Sequence, residues 1–449
     1  KLSWLDEKGN IAPDGVVGSS ITLPANSALR PSGLIVAAPE GNALPTLSSV
    51  TVDGWQAVHP RPQRIDMCPT IAAPAGKPAD RKPSCVIREG SIRLQNADLR
   101  CRFTTADTLK LVSLYNEYTA TEMVTDPDAI GLFIVDTGGE RYVGSRDFRC
   151  LSATPQGSGF VAELRLEQPA LRATLSVGIE DEGLRMGLKL VNVGAAPVDF
   201  TTVFPHLAGL TASGEPEADY YFYPLGGGIY ADTPALIRST YGEYQALYQV
   251  MDLYSPRLGG GLFVRIDDRD GWHKGLALRK HLKGRGTLTV EKLPSRTRDE
   301  YLCANPLEEV AGTGFACEYL RRTRAPGDGF EPSATVIAAH AGDWHATMEH
   351  YAAWAHDVWQ FRPYPSRLKS IRNMMPHGWA TDLLFKDGKY RTDLVAPPKP
   401  GLGRTMTDCV ELMSWWEWSP LGPFATPFDR LDEVLTEDQI KRWQPYFVK

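Results

Sequence analysis

The 449-residue sequence lacks several patterns that assign proteins to common classes. Its seven cysteines form no CxxC pair and no His/Cys cluster at zinc spacing, so a structural zinc site is not expected. No run approaches the roughly 18 apolar residues that a membrane helix needs, and no basic stripe interleaved with aromatic residues indicates nucleic acid. A GxSxG sequence is also absent, which disfavours a serine hydrolase of that type.

Two triple-glycine stretches, residues 226–228 and 259–261, do not qualify as phosphate-binding loops. Neither ends in Lys followed by Ser or Thr, and the second runs into a predicted strand rather than a helix. The acidic sequence DDRDG at 267–271 lacks the remaining positions of an EF-type calcium loop, whereas Asp-Gly is favoured in hairpin turns. We therefore predict tight turns at all three places, and no metal or other cofactor.

The composition is that of an ordinary soluble globular protein, with 43% hydrophobic and 23% charged residues and a net charge of -6. The length predicts two or three domains. The chain begins without an initiator methionine or a signal-type apolar segment, as in a mature secreted form or a fragment, and we expect an extracytoplasmic location, secreted or periplasmic. Cys303 and Cys317 are close enough in sequence to pair across neighbouring predicted strands.

Period-two alternation predicts a mainly β protein. Residues 1–84 read as an N-terminal β region that ends in a proline-rich loop at 69–83. Residues 85–341 alternate throughout, with a turn about every ten residues, which predicts a large antiparallel sandwich. In VAELRLEQPALRATLSV the polar Glu163, Arg165 and Glu167 alternate with apolar residues, so one face of that strand should be wet.

The pattern changes to a helical period at Gly342. Apolar residues from Trp344 to Trp359 fall on a single face, Asp343 is placed as the N-cap, and Pro363 ends the helix. This helix should pack against the sandwich. Residues 342–410 are thus predicted to be a helical linker followed by loops.

The stretch 411–418, ELMSWWEW, is the most distinctive in the chain. It predicts a buried strand that brings Trp415, Trp416, Glu417 and Trp418 to a cleft, because indole faces cover sugar rings and a carboxylate binds hydroxyls. Neighbouring tryptophans in a strand point to opposite faces, so some of them belong to a core. A capping-box spacing at residues 436–439 predicts a helix after the strand.

Two acidic residues flank this stretch, and one histidine lies far from it. Asp408 precedes the predicted strand and Asp429 follows it, so both are candidate substrate-binding carboxylates. His206, beside Pro205, is a candidate acid/base, although a satisfied structural histidine is the more common outcome. If His206 were catalytic, a second histidine and a glutamate would have to converge with it, and His273 and His281 are the nearby histidines in predicted strands.

Five strings, in order, resemble a group of glycoside-hydrolase-like proteins. They are FPHLAGL, YYFYPLGGG, QVMDLYSPRLGGGLFV, GDWHATMEHYAAWA and the tryptophan-rich strand. In that group, which includes endo-α-N-acetylgalactosaminidases and resembles the α-galactosidase clan, a galactose-mutarotase-type β-supersandwich precedes a helical linker and a (β/α)8 barrel. The resemblance covers roughly 85–449 and implies that the Trp415–Trp418 segment belongs to the binding end of the first barrel strand.

The resemblance has a departure at its C-terminal end. A (β/α)8 barrel takes about 250 residues, and only an opening βα portion fits in 411–449. In these families the catalytic carboxylates lie on later strands, so the resemblance places most of them beyond Lys449 and leaves them unassigned here. It also implies as a partner either the remainder of the barrel or a second copy of the chain.

Three functions follow from these patterns. The first is a glycoside hydrolase acting on an oligo- or polysaccharide through paired carboxylates. The second is mutarotase or epimerase chemistry within the sandwich, with His206 as acid/base. The third is a non-catalytic glycan-binding module. All three predict a carbohydrate ligand, and neither nucleic acid nor a membrane as a partner.

Overall fold

The computed structural model describes residues 69–241, 245–293 and 302–361, together with the backbone of eight short strands outside those ranges. The chain forms two compact units, Lys1–Pro69 and Thr70–Lys449. The first unit contains two antiparallel strand pairs, which agrees with the prediction of β structure there. These strands are β1 (Leu2–Leu5) with β2 (Gly33–Val36), and β3 (Ser49–Val52) with β4 (Trp55–Val58).

The second unit opens with the predicted loop at 69–83 and then a five-stranded antiparallel sheet in sequence order. Its strands are β5 (Ser84–Arg88), β6 (Ser91–Gln95), β7 (Leu99–Thr105), β8 (Leu109–Asn116) and β9 (Thr121–Glu122). Alternate side chains such as Ile92, Leu94 and Phe103 are buried, whereas Arg93 and Arg102 between them are exposed. One face of this sheet is therefore apolar and the other polar, as the period of two requires.

Seventeen further strands follow before the long helix. They are β10 (Leu132–Asp136), β11 (Arg141–Val143), β12 (Arg149–Gln156), β13 (Gly159–Leu166), β14 (Leu171–Ile179), β15 (Leu184–Asn192), β16 (Val198–Leu210), β17 (Tyr220–Tyr223), β18 (Ile229–Ala231), β19 (Ala235–Thr240), β20 (Val250–Ser255), β21 (Gly260–Asp267), β22 (Lys274–His281), β23 (Leu288–Lys292), β24 (Gly312–Arg324), β25 (Gly329–Phe330) and β26 (Ala334–Ala341). Two 3₁₀ turns, Pro127–Ala129 and Pro216–Ala218, and the short helix α1 (Gly144–Asp147) lie between them.

These strands form two large sheets. The seven-stranded sheet has the order β11-β10-β16-β24-β22-β19-β23, and the ten-stranded sheet has the order β12-β13-β14-β15-β26-β21-β20-β17-β18, with β25 beside β15. All pairings in both sheets are antiparallel except that of β19 with β23. The predicted mainly β, antiparallel architecture is thus confirmed.

One apolar core lies between the sheets. It contains residues from the five-stranded sheet (Phe103), the ten-stranded sheet (Leu164 and Leu262) and the seven-stranded sheet (Phe204 and Phe315). Packing the inner faces of two sheets against each other is the arrangement of a β-sandwich. The wet face predicted for β13 is also present, because its polar residues are half-buried while Leu164 and its apolar neighbours are buried.

The first glycine triplet occurs at a turn, as predicted. It joins β17 to β18, and Gly226, Gly227 and Gly228 all have positive φ. Of the second triplet only Gly259 lies in a turn, where a Cβ would lie 2.2 Å from the backbone oxygen of Ala72, and the other two glycines begin β21. Positive φ and close backbone approach both favour glycine.

The possible Cys303–Cys317 disulfide is not formed, since both thiols are free. Cys317 points into the main core between the sheets. Cys303 belongs to a separate small cluster with Ala277 and Ala316, on the outer side of the seven-stranded sheet. Adjacent residues in a strand point to opposite faces, so Cys317 faces away from the cluster that its neighbour Ala316 shares with Cys303.

Helix α2 (Trp344–Trp359) covers part of the ten-stranded sheet. Asp343 caps it as predicted, accepting a hydrogen bond from the His345 amide at 3.0 Å. Tyr351 and Ala355 pack on apolar residues of β20, β21 and β26, namely Val250, Phe263, Val336 and Ala338. The helix ends at Trp359, where Gln360 adopts the left-handed conformation, three residues before Pro363.

Four short strands lie beyond the helix. They are β27 (Asn373–His377), β28 (Phe385–Lys386), β29 (Lys389–Tyr390) and β30 (Cys409–Met413). The sequence predicts loops through this stretch, so β27 is a correction. It pairs in parallel with β30, which covers the first three residues of the predicted tryptophan-rich strand. The remainder of that strand and the helix predicted at 436 lie outside the described residues.

Replacing Tyr351 by alanine should lower the free energy of unfolding by about 3 kcal/mol, because it opens a cavity between α2 and the ten-stranded sheet. Glu349→Ala on the exposed side of the same helix is the control and should change stability little. Urea unfolding of both variants measures this. Equal effects would mean that α2 does not pack on the sheet as described.

Candidate functional site

The residues predicted to bind sugar flank strand β30. Asp408 immediately precedes Cys409–Met413, and Trp415, Trp416, Glu417, Trp418 and Asp429 follow it in sequence. All six lie outside the described residues. What the structure supplies is the strand itself and its partner: β27 pairs with β30 in parallel, with His377 opposite Met413.

A parallel pair has both carboxyl ends at the same edge. Ligands of open and closed α/β sheets bind at that edge. His377 and Met413 end their strands side by side, and the tryptophan-rich segment follows Met413 by one residue. Parallel strands also need a crossover connection, and 31 residues separate His377 from Cys409, since 408 minus 377 is 31.

The described side chains contain a second candidate, on the outer face of the seven-stranded sheet. The register places His206, Ala316, Ala277 and Arg238 in one row across four strands. Glu318 lies two residues from Ala316 on the same face and pairs with Val203. A carboxylate, a guanidinium and an imidazole therefore share one face of the sheet.

Arg238 and Glu318 form a buried ion pair. The side chains are 3% and 1% exposed, and two hydrogen bonds join them, Nε to Oε1 at 3.2 Å and Nη2 to Oε2 at 2.9 Å. Arg238 also binds Glu291 Oε1 through Nη1 at 3.0 Å. Burial raises the pKa of Glu318, and the adjacent guanidinium opposes that rise. One guanidinium thus binds two carboxylates.

Residues 302–310 cover this face, and we call them the covering segment. Several hydrogen bonds fasten it to the strands beneath, and four of them show how. They run from Arg238 Nη2 to the Cys303 carbonyl (2.8 Å), from Arg279 Nη1 to the Leu307 carbonyl (2.8 Å), from Arg141 Nη1 to the Asn305 carbonyl, and from Cys303 Sγ to Asp136 Oδ2 (3.2 Å). Leu307 and Cys303 pack on Ala316 and Ala277 between these bonds. Burial raises the pKa of the Cys303 thiol to about 12.

His206 lies beneath the covering segment and is 4% exposed. Its Nδ1 accepts a hydrogen bond from the Gly131 amide at 3.0 Å, so a neutral ring carries its proton on Nε2. Burial lowers its pKa to about 3, and Arg141 lowers it further, while the backbone of His206 and Pro306 acts in the opposite direction. His206 is therefore neutral at pH 7, which is the structural alternative considered for it.

The histidines expected to assist His206 do not converge with it. Ala277 is the β22 residue in its row, and His273 and His281 each lie four positions from Ala277, about 13 Å along an extended chain. Only Glu318 is close in register. Since that carboxylate is paired and covered, the geometry does not favour proton transfer to a sugar on this face.

The acidic turn at 267–271 is held by one side chain. Asp268 accepts hydrogen bonds from the amides of Asp270, Gly271 and Trp272 and from Lys274 Nζ. Asp268 and Lys274 are both buried, with side chains 2% and 0% exposed. Its oxygens are thus engaged by donors of the turn itself. Within the described ranges, no three His, Cys, Asp or Glu side chains are grouped to hold a metal ion.

Sequence reasoning missed buried polar groups such as Arg238, Glu318 and the His340–Asp252 pair, whose Nε2 and Oδ1 are 2.9 Å apart. Each is a polar residue within a strand whose other residues are mostly buried. That pattern is a usable signal, because a charge is buried only with a partner.

None of the helices in the described part of the chain has the length and apolar character needed to span a bilayer.

No protein-family model matches the sequence, and no curated protein matches it. Among solved structures, a galactose mutarotase-like protein from Clostridium acetobutylicum is similar at 7% identity and a TM-score of 0.35, over 59% of this chain and 99% of that one. Another from Lactobacillus casei is similar at 12% identity and a TM-score of 0.34, over 56% and 100%. The GH36 alpha-galactosidase of Geobacillus stearothermophilus is similar at 9% identity and a TM-score of 0.38, over 64% of this chain and 45% of that one. Similarity at this level establishes neither a family nor an activity.

Removing one partner of the buried pair, by Glu318→Leu or Arg238→Met, should cost about 3–5 kcal/mol because it leaves the other partner buried and unpaired. The double variant Arg238→Met/Glu318→Leu should lose less than the sum of the two single losses. Urea unfolding of the unaltered protein, the two single variants and the double variant gives the free energies of this double-mutant cycle. The matched control is the Lys189–Glu331 pair, 54% and 62% exposed, whose coupling should stay below about 1 kcal/mol. Additive losses at Arg238 and Glu318 would contradict the buried pair.

The stability of the protein should fall as the pH drops from 6.5 towards 3, partly through His206. Its pKa in the folded state is about 3, below the ordinary 6.5, so the unfolded chain binds a proton that the folded protein rejects. This contribution is complete above pH 6.5 and decreases by at most about 1.4 kcal/mol per pH unit below it. His206→Asn, which keeps an acceptor for the Gly131 amide, should flatten the decline, whereas exposed His356→Asn should not. Unfolding at pH 7, 6, 5 and 4 measures the slopes.

Proposed function

We propose that this protein is carbohydrate-active and hydrolyses glycosidic bonds. The supporting observation is the parallel pair β27–β30, which follows the sandwich and α2 and is the only parallel pairing beyond residue 361 among the strands described there. Its carboxyl edge is where the tryptophan-rich segment continues the chain. Aromatic faces beside carboxylates at such an edge provide both stacking for sugar rings and hydrogen bonds for their hydroxyls.

In this proposal the sandwich is a scaffold and the reaction takes place at the parallel strands. The covering segment and the buried Arg238–Glu318 pair support that division, because they bury His206 and Glu318, the histidine and the acid that share the outer face of the seven-stranded sheet. Glu417 binds substrate hydroxyls, Asp408 and Asp429 lie beside it in sequence, and Trp415, Trp416 and Trp418 supply stacking surfaces. Paired carboxylates cleave the bond. The substrate class suits an extracytoplasmic location, which we also propose.

Glu417→Gln should lower kcat/KM towards an aryl glycoside by about 10- to 100-fold, since a hydrogen bond from a sugar hydroxyl to a charged group contributes about 1.5–3 kcal/mol. Release of nitrophenol from paired α- and β-glycosides measures it and also shows the anomeric preference. The effect should be mostly on KM, because binding rather than bond cleavage is assigned to this residue.

Glu331→Gln is the control, because Glu331 is 62% exposed and pairs only with exposed Lys189 among the described residues. It should leave kcat/KM unchanged. Unchanged turnover in Glu417→Gln would remove that residue from the site. Absence of hydrolysis of every glycoside, together with retained sugar binding, would replace the hydrolase by a glycan-binding module.

A further inference from the structure

The outer face of the five-stranded sheet carries three arginines that have no partner among the described residues. Arg88 on β5, Arg93 on β6 and Arg102 on β7 all point away from the core and are exposed. Ser84, Ser91, Gln95 and Thr104 lie between them on the same face. We call these seven residues the arginine face. None of its guanidinium groups has an ion pair or hydrogen bond to any described residue.

The register makes this arrangement unfavourable in the free protein. Arg93 lies directly opposite Arg102 in the antiparallel pairing of β6 with β7. Side chains directly opposite each other are about 5 Å apart at Cβ, and like charges there destabilise the sheet. Two adjacent cations therefore occupy positions where a neutral β-former would be better for folding alone.

Neighbouring cations on the same sheet are neutralised, which sets the three apart. Arg100 binds Glu117 Oε1 at 2.7 Å and lies over the Tyr115 ring, and Lys110 binds Asp128 at 2.6 Å. Glu122 on β9 is engaged by Ser113 Oγ and by the Leu114 and Val124 amides. Exposed Glu89 in the β5–β6 turn is the one acid beside Arg88.

A second pair of opposed arginines, on β13 and β14, has a different set of ion-pair partners. Arg165 on β13 lies opposite Arg172 on β14, and Arg149 lies opposite Arg165 on its other side. There Glu167 binds both Arg149, at 3.4 Å, and Arg165, at 3.3 Å. Glu167 thus forms ion pairs with two arginines of that row, whereas neither Arg93 nor Arg102 has an ion pair with an acid among the described residues.

The arginine face also has the shape of a binding surface. Part of it lines a concavity of about 520 Å³, formed by Ser84, Val86, Arg88, Glu89, Ser91, Arg93 and Gln95. Its lining combines guanidinium forks with hydroxyl and amide groups. Guanidinium groups bind carboxylate and sulfate oxygens through two parallel hydrogen bonds, and hydroxyl and amide groups both donate to and accept from sugar hydroxyls.

We propose that the arginine face binds an acidic saccharide, one that carries carboxylate or sulfate groups. The choice of a saccharide among anions rests on the proposed function. Nucleic acid fits less well, because Tyr115, the one aromatic ring on this face among the described strands, is covered by Arg100, and single strands need open aromatic rings for stacking. The face lies on the five-stranded sheet, so it acts as an ancillary binding site that holds an anionic chain.

Binding of fluorescent heparin fragments and polygalacturonate fragments to the whole chain tests the proposal, with dextran as the neutral probe. We expect binding of at least one anionic probe, weakened by added salt, and none of dextran. Arg93→Gln/Arg102→Gln should weaken that binding about tenfold or more, since each charged hydrogen-bonding pair contributes about 1.5–3 kcal/mol. The melting temperature of this variant should not fall, because the two cations repel each other.

Arg165→Gln/Arg172→Gln is the matched control, with the same change of net charge at two opposed arginines, and it should bind like the unaltered protein. The proposal is overturned if both double variants lose binding equally, if neither does, if no anionic probe binds, or if dextran binds as well. The proposal would also be overturned if a DNA oligonucleotide or inorganic sulfate, added at the same concentration of negative charge, displaced the anionic probe as well as an unlabelled acidic saccharide does. Binding is measured without hydrolysis, so loss of glycosidase activity in Glu417→Gln and loss of binding here are independent results.

Discussion

Burial of one apolar face of each sheet in a single core is the constraint on which the rest of this structure depends. Alternate residues of every core strand must face inward, so every second residue is committed to the opposite face. That face then has to be covered, paired or left in water. The three sheets differ in which of these they use, and the differences decide where a ligand can bind.

The outer faces of the three sheets differ in how far they are covered and in whether their charges are paired. The covering segment and the Arg238–Glu318 pair close the seven-stranded sheet, and every charge near its centre has a partner. Helix α2 covers part of the ten-stranded sheet with Tyr351 and Ala355. The five-stranded sheet leaves Arg88, Arg93 and Arg102 in water. This last face presents three exposed arginines with no ion pair to a described residue, and it is the surface proposed to bind an anion.

Much of the fold follows from local patterns in the sequence, because alternation and helix capping are local. The strands of 85–341, the wet face of β13 and the Asp343 cap of α2 were all accessible in this way. The Cys303–Cys317 disulfide was not, since which face a residue joins depends on pairing between distant strands. Strand β27 was missed because Pro376 lies inside it, and proline argues against a strand.

The polar groups of the seven-stranded sheet were harder to predict than its strands. In the sequence, His206 is a lone histidine beside proline. Its neutral state depends on Gly131 and on the covering segment, about 100 residues later in the sequence. Arg238 and Glu318 are 80 residues apart. Sequence spacing cannot identify partners that are so far apart. A charged residue within a mostly buried strand does indicate that a partner exists.

The order in which the strands enter the sheets bears on how the protein is made. β26 lies between β15 and β21, and β24 lies between β16 and β22, so the last long strand of each large sheet fills a central position. When a nascent chain has emerged only as far as about residue 310, each large sheet still lacks this central strand. The strands on either side of the missing strand then have unpaired edges. Such edges are templates for pairing with other chains, and closure over long sequence separations is slow. The strand order therefore favours protection of the growing chain until residue 341 has emerged from the ribosome.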